Sequence, residues 1–438
     1  MYLSNRIRNI SFWGLDFIKG GKIRKHYRNI EAILDNPTSK ESLIQRNSHL
    51  DNVLKHATKT TAYYKPYSNF KSIEDFPVIK KNVIQEHFES FKSKGLKNNA
   101  YHKVSTSGST GMPFFLYQDK NKRLRNTADV IFFSKLSNYI IGNRLFELEV
   151  WREHNRKKPF KSWLQNVIQF DITRLDEDRI SHFLYQLKKY KQNKTLLGFA
   201  SSFETICQYL DKKNITLGNN LKLTSIIANS EYLNDYTRTK LKQFFKVPVL
   251  SRYSNEEIGI IAQQTIESPN YFIINHASYF VEVLDIEKDV QVKKGQLGRI
   301  VVTDLFNYCM PIIRYDTGDV AKLIETEKGI TKFKHIEGRK MDLIYDTSGS
   351  LISSFVIYTK FYKYYTYLKQ YQFIQESKKE YTIKLNIHNT FPFETELTED
   401  IKKDFGKDAI VKIVYVDEIP PLASGKRKKV VNNYTKPD

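Results

Sequence analysis

The sequence predicts an α/β protein: a large N-terminal domain of parallel-sheet subdomains with an added β subdomain, then a small α/β domain at the C-terminus. Three observations predict it. Between residues 195 and 253 buried strand-like runs alternate with helical-period segments, the pattern of parallel strand, helix, strand units. Between 271 and 325 short strand-like runs follow one another with only turn residues between them, which argues a β subdomain. Beyond Gly338 strands are separated by helical or polar stretches over roughly 100 residues, the size of a separate unit. The expected domains are therefore 1–338 and 339–438, in a chain whose 438 residues exceed what one core usually serves.

The elements follow in chain order. "RNISFWGLDFIKGGKIRKHYR" sets Ile10, Phe12, Trp13, Leu15, Phe17 and Ile18 ahead of a basic cluster. A helix packed on the domain is the favoured reading; contact with an anionic membrane through the N-terminus is the other. "ESLIQRNSHLDNVLKHA" has the apolar spacing of a helix at Leu43, Ile44, Leu50, Val53 and Leu54. After the apolar strand "TLLGFA", "SSFETICQYLDKK" reads as a helix capped by Ser201 or Ser202, with Glu204 in its first turn. "LTSIIANSEYL" is a buried strand that ends in polar residues, "NDYTRTKLKQFF" a helix capped by Asn234, and "VPVLSRY" the next strand. "YFIIN", "YFVEVLD", "GRIVVTDL" and "VAKLIE" are the strands of the β subdomain, and "QYQFIQES", "YTIKLNI" and "AIVKIVYV" those of the C-terminal unit. There is no internal repeat and no low-complexity segment.

Composition narrows the function classes. The chain is 40% hydrophobic, as a folded protein is, and carries a net charge of +22. That charge would attract nucleic acid, an anionic membrane face or a phosphorylated substrate. No basic run reaches the length of a nucleic-acid tail, so no nucleic-acid partner is expected. Two cysteines, Cys207 and Cys309, exclude a disulfide framework and a thiolate metal site, and the ten histidines show no ligand spacing. Nothing resembles a cleaved signal peptide or a membrane-spanning run, so the expected setting is cytoplasmic, with peripheral contact at the inner membrane face open to the N-terminus.

Five short segments carry chemistry. "STSGSTGMP", residues 105–113, gathers glycines and hydroxyl side chains into a loop whose N–H groups can wrap phosphate oxygens. It is not a Walker loop, because Met112, Pro113 and Phe114 follow where a lysine would be expected. "RYSNEEIG", residues 252–259, places an aromatic ring and two carboxylates directly after a predicted strand, where α/β folds commonly hold ligands. "NYCMPIIRYDTGDV" sets Asp316 and Asp319 around a Thr-Gly turn, "IEGRKMD" supplies Arg339 at the expected boundary, and "IPPLASGKRKKV" presents Lys426 after a Ser-Gly turn. Singly each has a bland reading: Tyr253 as core filler, Asp319 as a turn former, Arg339 and Lys426 as surface charges.

Together and in this order, from about residue 40 to the end, these segments resemble the AMP-forming adenylating superfamily of acyl-CoA synthetases and related ligases. The likeness is greatest to the phenylacetate–CoA ligase-like branch, which includes the CapK proteins of capsular polysaccharide biosynthesis, and "LLGFASSFETICQYL" is similar to that branch's strand and helix lining the acyl pocket, with Phe199 and Ala200 in it. The resemblance implies an enzyme that joins a carboxylate to AMP, releases pyrophosphate and passes the acyl group to CoA or to an amine or hydroxyl acceptor. Thr106, Ser107, Gly108, Ser109, Thr110 and Gly111 would hold the β- and γ-phosphates of ATP. Ser230, Glu231, Tyr232 and Tyr253 would lie beside adenine, Asp319 would take the ribose hydroxyls, and Glu257 would bind Mg²⁺. Arg339 would stand at the hinge, and Lys426, on a mobile C-terminal domain, would reach the α-phosphate. The carboxylate would be a small acid or a glycan precursor. Three departures stand out: Glu256 where Thr or Ser is usual, Met341 beside Asp342 where the hinge aspartate is common, and no lysine after the loop's proline. The alternative is a non-catalytic binder of polyanions or membranes that keeps the fold, against which the retention of Glu257, Asp319, Arg339 and Lys426 argues.

Overall fold

The computed structural model describes residues 2–95, 101–106, 114–151, 156–217, 221–339, 344–352, 356–357, 360–361, 363–420 and 427–434. Helices α1 (Leu3–Ile18), α2 (Lys22–Asp35), α3 (Lys40–Thr60) and α4 (Lys81–Glu86) precede a hairpin of β1 (Tyr101–Thr106) and β2 (Phe114–Asp119). An α/β stretch follows: α5 (Lys120–Lys135), β3 (Arg144–Glu149), α6 (Pro159–Gln165), β4 (Val167–Asp171), α7 (Glu177–Lys189), β5 (Lys194–Phe199), α8 (Ala200–Lys212), β6 (Leu223–Asn229), α9 (Asp235–Phe245) and β7 (Val249–Asn255). Six strands come next: β8 (Gly259–Gln263), β9 (Phe272–Ile274), β10 (Tyr279–Leu284), β11 (Leu297–Asp304), β12 (Tyr315–Glu325) and β13 (Thr331–Arg339). The C-terminal part holds β14 (Ile344–Tyr345), β15 (Leu351–Ile352), β16 (Leu368–Gln375), β17 (Glu380–Ile387), a helix over Glu394–Phe405, β18 (Ile410–Tyr415) and β19 (Val430–Asn432).

Strands β3 to β13 make one 11-stranded sheet in the order β10-β11-β12-β13-β9-β8-β7-β6-β5-β3-β4. From β4 to β7 the neighbours are parallel. Phe146, Leu148, Phe170, Leu196, Ile226 and Leu250 are buried because helices cover the sheet, as parallel sheets require. From β7 to β10 the pairs are antiparallel. The expected β subdomain thus shares continuous hydrogen bonding with the parallel half, through β8 and β9. Asn234 caps α9 as expected, accepting from the Thr237 N–H at 2.8 Å. The cap of α8 differs from expectation. The helix already begins at Ala200, Phe199 is the capping residue without a side-chain bond, and Ser202 instead donates its hydroxyl to the Phe199 carbonyl at 2.7 Å.

The C-terminal sheet runs β18-β17-β16-β19, with β16 and β17 antiparallel and the outer strands parallel to their neighbours. Its aromatic interior packs Phe373, Tyr381 and Phe405 together. That interior is continuous with the helix-covered face of the parallel half, where Tyr365 lies face to face on Tyr236 with ring centroids 4.5 Å apart. Among the described residues, no helix is long and apolar enough to cross a membrane.

The parallel strands approach one another closely at Gly198 on β5. A Cβ there would meet Leu148 Cβ at 2.6 Å and the Leu148 carbonyl at 2.9 Å. Gly198→Ala must push two buried strands apart, so urea unfolding should register a loss of about 1–3 kcal/mol; an unchanged midpoint would show that the sheet gives way freely there.

Candidate active site

The β12 turn is built by its own sequence. Gly318 takes the left-handed φ of +76°, which suits glycine, and its N–H donates to Asp316 Oδ1 at 2.9 Å. Asp316 is fixed in turn by Arg299 on β11, whose Nη1 donates to Oδ2 at 2.9 Å in a buried pair. The β11/β12 register shifts between Arg299 and Val301, so β12 bulges there. The Asp319 N–H donates to Thr317 Oγ1 at 3.2 Å, and Asp319 Oδ2 accepts the Tyr253 hydroxyl at 2.7 Å. Burial, then the Asp319 charge, push the Tyr253 phenol well above its ordinary value, so it stays a donor.

Glu257 lies in the turn from β7 to β8, where Asn255 Oδ1 accepts the Ile258 N–H at 2.8 Å and Ile258 is fully buried. Glu257 Oε1 accepts from the Tyr315 hydroxyl at 3.2 Å, with Lys81 Nζ at 4.0 Å. The Glu257 carbonyl accepts from Gln118 Nε2 of β2 at 3.2 Å. Lys81 also stands over the Phe114 ring at 4.7 Å, and Phe114 pairs with Thr106 at the open end of the hairpin. That end of the hairpin is therefore beside Glu257. Ser107, Gly108, Ser109, Thr110 and Gly111 lie outside the described residues.

Lys81 reaches this spot because the preceding chain adds itself to the sheet. The Ile79 N–H donates to the Arg314 carbonyl at 2.9 Å, and the Asp316 N–H donates to the Ile79 carbonyl at 2.9 Å. Arg314, itself at φ +48°, clamps the segment by donating to the Phe76 carbonyl and to both oxygens of Glu282.

The carboxyl ends of β5, β6 and β7 lie side by side, with Phe199 opposite Asn229 and Asn229 opposite Arg252. Ligands gather at such ends in open parallel sheets. Phe199 and Ala200 are 6% and 2% exposed. Ser230 holds a left-handed φ of +65°, a strained setting for a non-glycine, and turns the chain into Glu231 and Tyr232. Glu231 Oε2 accepts the Ser201 N–H at 2.7 Å, which supplies from outside the first-turn acceptor expected of a serine cap. Its Oε1 accepts the Arg427 N–H at 3.2 Å. Asn229 Nδ2 donates to Glu149 Oε1 at 3.3 Å, while the buried Asn229 Oδ1 has no partner among the described residues.

The structure brings Tyr253, Asp319 and Glu257 into one cluster beside the hairpin end at Thr106, with Ser230, Glu231, Tyr232, Phe199 and Ala200 at the adjoining strand ends. The Arg339 backbone pairs with Asp319 across β12 and β13. Lys426 and Met341 lie outside the described residues. Sequence reasoning missed Lys81, which carries no local signal, and Tyr315, which stood inside the quoted "RYDTGD". It also missed the ion pair of Lys429 with Glu204, which joins the last strand to α8.

The CapK C-terminal domain family matches residues 344–433. Protein CapK of Staphylococcus aureus is 22% identical over 97% of this chain and 96% of its own. Phenylacetate-coenzyme A ligase of Pseudomonas putida is 28% identical over 28% of this chain and 29% of its own. Among solved structures, 2-hydroxyisobutyryl-CoA ligase in the postadenylation state with 2-HIB-AMP superposes with a TM-score of 0.73 at 17% identity, covering 90% of both chains. The same enzyme in its thioesterification state, with 2-HIB-AMP and CoA, gives 0.59 at 18% identity over 91% of both. The sheet and the C-terminal unit have the fold of the AMP-forming CoA ligases, and the sequence resembles Protein CapK along nearly the whole chain.

Proposed function

We propose that this protein joins a carboxylic acid to the AMP moiety of ATP, releases pyrophosphate, and transfers the acyl group to CoA or to an amine or hydroxyl acceptor, in the making of a surface polysaccharide. The observation that carries the reading is the convergence of Tyr253, Asp319 and Glu257 at the carboxyl ends of the sheet, beside the end of the β1–β2 hairpin. Residues 1–338 hold nucleotide and acid in this reading, and 339–438 form a mobile lobe that carries Lys426.

The donor set suits a nucleotide. Asp319, aligned by the Tyr253 hydroxyl, takes the ribose hydroxyls, and the orphaned Asn229 Oδ1 offers an acceptor to an exocyclic amine beside Ser230, Glu231 and Tyr232. The loop from Thr106 to Gly111 wraps the outer phosphates with its N–H groups. Glu257, a single carboxylate positioned by Tyr315, suits a hard cation that stays partly hydrated; Mg²⁺ so held would neutralise phosphate charge. Phe199 and Ala200 wall the acid site.

Attack of a carboxylate on the α-phosphorus brings two anions together, so the cations must arrive already aimed. Lys426 does this in our reading, with Arg339 at the pivot. Glu231 Oε1 accepts the Arg427 N–H, which sets Arg427 beside the strand ends where the nucleotide is read to lie. The TM-score is higher with the postadenylation relative than with its thioesterification state, 0.73 against 0.59, which supports a lobe arrangement nearer the former.

Pyrophosphate release from Mg·ATP, screened across a carboxylic acid library, tests the reading; a failure of every acid in the library to elicit release would overturn it in favour of a binder without catalysis. Lys426→Ala should lower ATP–pyrophosphate exchange by on the order of 10² to 10³ and spare acyl transfer from supplied acyl adenylate. Asp319→Ala should instead raise the KM for ATP, because it removes nucleotide contacts present before and during reaction. Glu204→Gln weakens the tie to Lys429 and should slow adenylation more than acyl transfer, measured separately in single turnovers; equal slowing would assign the pair to stability alone.

A further inference from the structure

Helix α1 is amphipathic but docked in reverse. At 3.6 residues per turn Leu3, Ile7, Ile10, Phe17 and Ile18 fall within an arc of about 100°. All five are exposed, Phe17 by 80% and Ile18 by 79%. The opposite side carries Asn5, Asn9 and Asp16, and these polar groups hold the helix to the protein. Asn5 Nδ2 donates to Asn143 Oδ1 at 3.2 Å, and Asn9 Nδ2 to the Ile141 carbonyl at 3.0 Å. Asp16 accepts the N–H groups of Ile23 and Arg24 at 3.0 and 2.9 Å, tying α1 to the start of α2. The backbone of α1 at Asn5 comes so close to Gly142 that a Cβ on the glycine would stand 2.2 Å from the Asn5 carbonyl. The outward apolar row contributes nothing to this attachment.

A second exposed apolar group adjoins it. Phe160 and Trp163 of α6 are 72% and 64% exposed and stacked on each other. Arg8 of α1 reaches over the Trp163 ring at 5.6 Å and links the two helices. Cations surround both: Arg6, Lys19, Lys22 and Lys25 on the α1–α2 side, Lys158 and Lys161 on α6. In the first 30 residues the only acid is Asp16, which is buried.

We propose that α1 and α6 together dock the protein on an anionic lipid bilayer, the apolar row entering the headgroup boundary and the cations meeting lipid phosphates. Charge decides between occupants. A second copy would bring this same cationic surface against itself, whereas an anionic bilayer complements it along the whole helix. This docking is independent of the reaction proposed above and places the protein where a membrane-borne acid or acceptor would be met.

The test uses the full chain with vesicles of phosphatidylcholine, alone or mixed with phosphatidylglycerol. Cosedimentation should be roughly tenfold stronger with the anionic vesicles and weaken as salt rises. Two of the three tryptophans, Trp13 and Trp163, lie on or beside this surface, so their emission should shift to the blue on binding. The double substitution Ile10→Glu, Phe17→Glu should cut binding by roughly tenfold with circular dichroism and melting unchanged, since neither side chain packs inward; Trp163→Ala, on the other helix, should weaken it independently. Equal binding to neutral and anionic vesicles, no binding to either, or a dimer in gel filtration that these substitutions dissociate would each overturn the proposal.

Discussion

The buried pair of Arg314 with Glu282 is the constraint on which the site rests. Burial pushes the Glu282 carboxyl up, and Arg314, donating to both of its oxygens, offsets that. The same guanidinium holds the Phe76 carbonyl, and the Arg314 carbonyl receives the Ile79 N–H. One residue thereby fastens the segment before α4 to the edge of β12. Lys81, Tyr315, Asp316 and Asp319 take their places from that seam. An unpartnered charge left in such a position is strongly destabilising, which is why a pair of this kind fixes geometry even where it adds little net stability.

The contacts between the C-terminal unit and the parallel half are of another kind. Lys429 with Glu204, the Arg427 N–H with Glu231, and the Tyr236–Tyr365 stack mix polar and aromatic groups, several of them part-exposed. Part-exposed ion pairs gain little because water competes for both partners. Gln208 Nε2, which donates to the Leu368 carbonyl at 3.2 Å, adds one more polar tie of this sort. These polar ties flank an apolar contact, since the aromatic interior of the C-terminal unit runs on into that of the parallel half.

Much of the fold was legible because its signals are local. Asn234 announced the start of α9, the apolar run in "LTSIIAN" announced β6, and the Thr-Gly pair announced the β12 turn, each through backbone preferences that neighbours in sequence can satisfy. What was not legible depends on chain far away. The cap of α8 comes from Glu231, thirty residues on, so the nearby serines misled. Lys81 gained its place from the pairing of Ile79 with the start of β12, and no spacing rule reports such a pairing. The joining of the antiparallel strands to the parallel sheet likewise rests on β8 and β9, whose short runs look the same in a separate subdomain.

The polar pins of α1 also bear on how the chain is made. Asn5 finds Asn143 only after 138 further residues have been added, and Asn9 meets the Ile141 carbonyl after 132. Domains form as units while synthesis proceeds. Helix α1 is thus made long before the residues that seat it, and until they follow its side-chain amides lack these partners. A nascent segment in that condition is a natural client for a chaperone, so α1 carries a burden during synthesis that its polar pins relieve only late.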